Sequence, residues 1–350
     1  MTAPQQARTA RRAATPPEPG RLQRWEQWLA LNQEATFDPD TPIVDPHHHL
    51  WDRGGHTYLP AQFAQDASAH RLLSTVYVEC LWKHRDSGPE HLRPVGETEH
   101  VAGLVRARGQ TGGPAIAAGI VARADLSLGD AVDAVVQAHL EVADGRLRGI
   151  RYATAFDADP AIHMAYPTRP GMFRETAVLA GARRLAQRGL LLDVWTYCPQ
   201  LGDVLALARA CPDLTIVLDH VGGPIGIGSY ARRRAELMAA WRTDMLALAG
   251  CENVVVKFGG LAMPLCGFEW RKLDRPASSD MLALAWLPYF EVCMESFGPG
   301  RCMFESNFPV DRLGCTYTSL WNAFKRLAAP LSASERKGLL ATNAQRIYRI

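Results

Sequence analysis

Residues 43–51 read Ile43-Val44-Asp45-Pro46-His47-His48-His49-Leu50-Trp51. Two aliphatic residues lead into three histidines. Side chains of a β-strand alternate between faces, so His47 and His49 point one way and His48 the other. Two imidazoles on one face at a strand end form a metal-ligand pair, or a charged pair for an anionic substrate. The plainer alternative is a polar strand end with one satisfied core histidine.

Seven further runs have the same form: short, rich in Val, Ile, Leu or Tyr, and bounded by Gly, Pro, Asp or Asn. In order the eight are Pro42–Asp45, Ser74–Cys80, Ala115–Ala124, Leu147–Tyr152, Leu190–Trp195, Leu214–Asp219, Asn253–Phe258 and Arg301–Ser306. Helical patterns lie between most of them. Ala131–Val142 carries a stripe of Val132, Val135, Val136 and Leu140. Phe173–Arg188, Tyr230–Ala249 and Met281–Phe297 are followed by Gly189, Gly250 and Gly298, natural helix stops. Strands alternating with helices imply a parallel sheet, and runs such as Thr215-Ile216-Val217-Leu218 imply burial on both faces. The pattern predicts an α/β chain forming a distorted (β/α)₈ TIM barrel. A doubly wound open sheet is disfavoured for two reasons. Polar residues end nearly every strand instead of gathering at one switch point, and no G-x-G-x-x-G or Walker sequence follows a strand. Residues 40–350 then form a single barrel domain, with the polar segments Trp82–Thr98 and Leu261–Ser279 as loops over its mouth. Residues 1–39 are expected to be a tail, partly disordered or loosely docked.

The 350 residues are 47% hydrophobic and 21% charged, with a formal net charge of +2, so the composition is globular. No basic run is interleaved with aromatics, which speaks against nucleic acid. No apolar stretch is long enough to span a bilayer. The eight cysteines include no C-x-x-C pair and several lie in apolar runs, so they read as buried thiols of a reducing compartment, the cytoplasm. The Arg-rich start (Arg8, Arg11, Arg12, Arg21, Arg24) lacks the apolar core of a secretory signal.

Candidate chemistry sits at the strand ends. Glu79 stands alone in the apolar run Val76-Tyr77-Val78-Glu79-Cys80, so it must be paired, ligated or shifted in pKa, and a structural salt bridge is one outcome. Arg151 ends the fourth strand and suits a substrate carboxylate through its planar fork; pairing with Asp157 or another loop acid is the alternative. Asp193 and Trp195 share a face at the end of the fifth, where Trp195 either walls a pocket or fills core. His220 ends the sixth, within Asp219-His220-Val221-Gly222-Gly223-Pro224, and is a third histidine at a third position on the rim. Lys257 ends the seventh. The eighth closes as Met303-Phe304-Glu305-Ser306-Asn307-Phe308-Pro309-Val310-Asp311, with Glu305 and Asn307 on one face.

The ordered set Asp45-x-His47-x-His49-x-Trp51, Asp219-His220 before Gly-Gly-Pro, and Phe304-x-Ser306-x-Phe308-Pro309-Val310 resembles the amidohydrolase-related (amidohydrolase 2) family. The resemblance covers about residues 40 to 350 and is nearest to the sugar-lactone and pyrone-dicarboxylate lactonases. It implies a distorted TIM barrel and hydrolysis at a carbonyl. It implies an H-x-H pair, met by His47 and His49, and a sixth-strand histidine, met by His220. These three would ligate one divalent metal ion (Zn or Mn) where one is bound, and the group also includes metal-independent members. The family motif Gly-Ser-Asp-Trp-Pro is met by Glu305-Ser306-Asn307-Phe308-Pro309, so Asn307 stands where the family has its general base. Asparagine cannot take a proton. The base role then moves to a carboxylate: Asp193 or Glu305, with Glu79 and Asp311 as further candidates. The expected reaction is water attack on a small anionic lactone bound by Arg151, with Glu79, Trp195 and Lys257 as further pocket residues. Two alternatives are a metal-dependent decarboxylase and a non-catalytic ligand-binding barrel. Whether the chain forms a homo-oligomer stays open.

Overall fold

A run of valine, isoleucine and leucine that must be buried on both faces needs helices outside and a filled interior, and the chain supplies both. The structure, a computed structural model, describes residues 20–53, 55–109 and 112–350. Eight parallel strands form one sheet in sequential order: β1 (Ile43–His48), β2 (Leu72–Val78), β3 (Ala115–Arg123), β4 (Leu147–Ala153), β5 (Leu191–Trp195), β6 (Ile216–Leu218), β7 (Val254–Phe258) and β8 (Cys302–Phe304). The ring is drawn together past the end of β8, where Asn307 N donates to His47 O (2.9 Å) and His49 N to Phe308 O (2.7 Å). One principal helix follows each strand: Pro60–Ala67, Val95–Arg108, Val132–Val142, Thr176–Gln187, Leu201–Ala210, Arg234–Ala249, Ser279–Phe297 and Tyr317–Ala328. This is the TIM barrel that the sequence predicts.

Two helices start later than their patterns suggest. Glu175 is extended (ψ 131°) and delays one start from Phe173 to Thr176. Ala231 is extended and Arg232 is left-handed (φ +67°), delaying the other from Tyr230 to Arg234. Gly189 (φ +64°) and Gly298 (φ +70°) stop their helices in the left-handed region, whereas Gly250 keeps a helical φ of −67°.

The barrel interior is layered. Val44, Leu191, Val217, Val255 and Met303, from five strands, pack together with Ile347 and Tyr348 of the C-terminal helix Asn343–Tyr348. That helix plugs the end at which the strands begin. Two residues further along the same faces come Asp193, Asp219, Lys257 and Glu305, all fully buried. Strand periodicity alone therefore sets a charged layer on an apolar floor.

Residues 20–39 dock against the barrel's side. Glu26 pairs with Arg312 (2.6 and 2.8 Å), Trp28 Nε1 donates to Leu273 O (2.9 Å), and Glu34 accepts from Ser279 N (2.9 Å) and Asn322 Nδ2 (3.0 Å). The first part of the expected tail, residues 1–19, lies outside the described residues. All eight cysteines are free thiols. Among the described residues, no helix is long and apolar enough to cross a membrane.

Glycines after β7 let three strand ends meet. A Cβ on Gly259 would lie 2.4 Å from Glu305 Cγ, and one on Gly260, whose φ is +70°, would lie 2.6 Å from His220 Cβ. Gly260→Ala should lower stability by roughly 2–4 kcal/mol, combining left-handed strain with overpacking; an unchanged denaturant midpoint would contradict this packing. A second expectation concerns pH. His139 is buried, with its ring between Thr98 Oγ1 (2.8 Å) and Arg123 O (2.9 Å), and burial pushes its pKa down to about 4. A histidine titrating near 6.5 when unfolded then binds its proton in the unfolded state first. Its stabilising contribution is present above about 6.5 and is lost as pH falls toward 4. His139→Gln should reduce the slope of unfolding free energy between about pH 6 and 4.5 by about 1.4 kcal/mol per pH unit, and an equal slope in both proteins would refute it.

Candidate active site

Lys257 stands in the middle of the charged layer, fully buried. Its ammonium donates to Asp193 Oδ2 (2.6 Å) and Asp219 Oδ1 (3.1 Å) and lies 3.1 Å from His47 Nδ1. Burial alone would neutralise it, but the two aspartates hold its pKa above the ordinary lysine value. Burial pushes Asp193 up to about 6 against the pull of Lys257, and Tyr348 donates to the same Oδ2 (2.7 Å). Asp193 thus belongs to the floor of the site.

Above it, Glu305 gathers two histidines. Its Oε1 accepts from His220 N (2.9 Å) and Nδ1 (2.6 Å), and its Oε2 lies 2.8 Å from His47 Nδ1. Burial would raise the Glu305 pKa, but His220 and His47 bring it down to about 2. Burial works against charge on His220 too, yet Glu305 lifts its pKa above the ordinary value. His47 is held low by burial and by Lys257. The backbone is bent to make this contact. His220 (φ +55°) and the β-branched Val221 (φ +48°) are both left-handed, a costly arrangement that Trp241 Nε1 braces by donating to Val221 O (2.8 Å). The Trp195 ring stands edge-on to His220 at 4.9 Å.

His47, His220 and Glu305 each offer a donor atom within 4.8 Å of the others, and all three are buried. His47 Nε2 is buried without a partner. Two imidazoles and a carboxylate are a donor set that suits a divalent ion such as zinc or manganese, so the residues fit the metal that the fold family implies.

His49 stands one ring away, 4.9 Å from His47, with different partners. Its Nδ1 donates to Val78 O (2.8 Å), and its Nε2 lies 3.3 Å from Asn307 Oδ1. Asn307 Nδ2 donates in turn to Asp311 Oδ1 (2.9 Å), while Ala262 N donates to Asp311 Oδ2 (3.1 Å). Burial pushes Asp311 up to about 7. His48 faces outward as alternation requires, bonded to Thr75 Oγ1 (2.8 Å) and packed on Phe63.

Arg151 and Glu79 pair with each other. Arg151 Nε donates to Glu79 Oε1 (2.9 Å), as does the Tyr166 hydroxyl (2.8 Å). Against burial, Arg151 and Arg123 hold Glu79 below the usual carboxylate range. Asp157, the alternative partner for Arg151, accepts instead from Tyr230 OH (2.6 Å). Tyr166, Asp219 and Tyr348 are site neighbours beyond the candidate residues. Asp219 is legible in the sequence, two residues beyond Val217 on one strand face; the two tyrosines carry no local signal.

The loops after β4, β6 and β7 meet over the Trp195 side of the mouth. Ile162, Tyr197 and Ile225 are buried there against Trp195 and Leu265. Ser229 N donates to Asp159 Oδ2 (2.6 Å) and Gly226 N to Leu265 O (2.9 Å), joining the loops pairwise.

Comparison with known proteins gives a consistent picture. A family model described as "Amidohydrolase" matches residues 44–350. The uncharacterized protein y4mH of Sinorhizobium fredii is 32% identical over 333 residues, covering 89% of this chain and 99% of its own. An L-fucono-1,5-lactonase of Burkholderia multivorans is 26% identical over 319 residues, covering 87% and 95%. Among solved structures, an amidohydrolase of Burkholderia multivorans with bound zinc superposes with a TM-score of 0.67 at 24% identity, covering 88% of this chain and 99% of that one. The match to the family model runs from the first barrel strand to the last residue, and on that ground this chain belongs to the amidohydrolase family.

Proposed function

We propose that this protein opens a small anionic lactone by hydrolysis at the ring carbonyl, at the cluster of His47, His220 and Glu305. The observation that carries the reading is the Glu305 carboxylate, which reaches one imidazole with each oxygen at the C-terminal mouth of the barrel. The similarity to an L-fucono-1,5-lactonase supports the lactone as substrate class, and the similarity to a zinc-bound amidohydrolase supports a metal.

His47, His220 and Glu305 would hold a divalent ion, which when bound supplies Lewis acidity, polarising a carbonyl and lowering the pKa of water. The chain's own residues do the rest. Arg151 orients the substrate carboxylate, and its contacts to Glu79 and Tyr166 keep the guanidinium in one pose. Trp195 walls the pocket beside His220 and excludes water. The proton of the attacking water needs an acceptor. Asp193 is committed to Lys257 and Tyr348, Glu305 to His220 and His47, Glu79 to Arg151 and Tyr166, and Asp311 to Asn307 and Ala262 N. His49 is placed for it. Its Nδ1 proton is fixed on Val78 O, leaving Nε2 to take the proton, and Asn307 Oδ1 then accepts the new N–H. Asn307 in this reading serves as a hydrogen-bond acceptor in place of a base.

The test is turnover of a lactone panel that includes L-fucono-1,5-lactone and carboxylated lactones, before and after chelation. Ring opening that is lost on chelation and restored by zinc or manganese is expected. Release of carbon dioxide would make the protein a decarboxylase, and ligand binding with no turnover would make it a binder. Arg151→Lys keeps the charge but loses the Nε and Nη2 bonds that hold the group on Glu79 and Tyr166, so KM for a carboxylated lactone should rise about tenfold (about 1.4 kcal/mol) with kcat little changed. A fall in kcat at constant KM would take Arg151 out of substrate binding.

A further inference from the structure

Glu97 is a buried carboxylate that the proposed reaction leaves unused. It lies in the first turn of the helix Val95–Arg108, where the free N–H groups of the helix favour a negative charge. Its acceptor capacity is spent on the segment that follows β2. Oε1 accepts from Tyr77 OH (2.6 Å) and Cys80 N (2.6 Å), and Oε2 accepts from Trp82 N (3.2 Å), with His84 Nε2 at 3.4 Å. The segment it grips is bent. Leu81 (φ +61°) and Lys83 (φ +53°) are both left-handed, a conformation that the surroundings must hold. Gly96 lets the helix start close on this bend; a Cβ there would lie 2.6 Å from Lys83 O. The bend aims Leu81 N at Glu79 Oε2 (3.3 Å). Glu79 Oε1 accepts from Arg151 Nε (2.9 Å), and Glu79 O accepts from Arg151 Nη2. A chain of bonds thus runs from the Glu97 carboxylate, through the backbone of residues 80–82, to a guanidinium two strands away.

We propose that Glu97 is a positioning residue for substrate binding: its carboxylate fixes the backbone of residues 80–82, and with it the Glu79 grip that sets the Arg151 guanidinium for a substrate carboxylate. This rests on the lactonase reading and on the role of Arg151 within it. Glu97 acts only through Arg151. Its removal lets Leu81 N leave Glu79 Oε2 and loosens the Glu79 side chain. Affinity for the anion falls, while the cluster of His47, His220 and Glu305 stays in place.

The probes are γ-carboxy-γ-butyrolactone and γ-butyrolactone, one ring with and without a carboxylate, with kcat and KM measured on the full chain. Glu97→Gln should raise KM for the carboxylated ring about tenfold with kcat within about threefold, and leave kcat/KM for the plain ring within about twofold. In the Arg151→Lys background the same change should add less than about twofold, because both substitutions undo one chain of contacts. Tyr77→Phe removes a single donor from Glu97 and should shift the same KM the same way by a smaller factor. Thermal midpoints report folding, and Tyr77→Phe decides the matter if Glu97→Gln does not fold. An unchanged KM for the carboxylated ring, an equal loss on both rings, or factors that multiply in the double variant overturn the inference while leaving a lactonase. So does a protein that opens other lactones but neither probe. Failure to open any lactone removes the lactonase reading itself and this inference with it.

Discussion

An ammonium group with no water around it constrains everything near it. Lys257 lies inside the barrel, and its charge persists only because Asp193 and Asp219 stand within 2.6 and 3.1 Å. Removing either acid would leave a buried charge short of a partner, at a cost of about 3–5 kcal/mol for a broken buried pair. The same ammonium reaches His47, and so links the floor of the barrel to the histidine cluster above. Tyr348 completes the floor from the far end of the chain, which ties the C-terminal helix to the site and explains why that helix plugs the barrel.

On this floor the end of the eighth strand departs at three positions from the motif that it resembles, and two of them, 305 and 307, compensate each other. Where the motif has glycine the chain has Glu305, and where it has aspartate the chain has Asn307. The two lie on one strand face, so the carboxylate has moved one step down toward the barrel centre. There it binds His47 and His220, while Asn307 turns to His49 and Asp311. Room for the longer side chain comes from Gly259 on the neighbouring strand end, and Gly260 makes room for His220. The left-handed backbone at His220 and Asn307 (φ +55° and +53°) turns both residues at the ends of their strands.

Much of this is legible in the sequence because it depends on short-range periodicity. All eight barrel strands overlap runs recognised by their aliphatic content, though the first extends through His48 and the second begins at Leu72, and the inward position of Lys257 and Glu305 follows from a count of two from Val255 and Met303. Partner choice is less legible. Asp193 and Tyr348 are 155 residues apart, and Glu79 and Tyr166 are 87 apart, so no local pattern marks either contact. The sequence favours Arg151 as an anion receptor; that its Nε and Nη2 are taken by Glu79 and Tyr166 depends on how neighbouring strands stagger, which composition does not encode. Helix starts depart from the sequence pattern where a loop residue, Glu175 or Ala231, keeps helical composition but takes an extended backbone.

In the proposed reaction the Glu305 carboxylate, between His47 and His220, organises the reaction centre. The most direct measurement is kcat/KM of Glu305→Gln on whichever lactone the protein opens. The substitution keeps shape and removes charge. The account expects a loss of at least about a thousandfold, roughly 4 kcal/mol of transition-state stabilisation, in a protein that still folds. Activity within tenfold of the parent would contradict it and return the search to His49, Asn307 and Asp311.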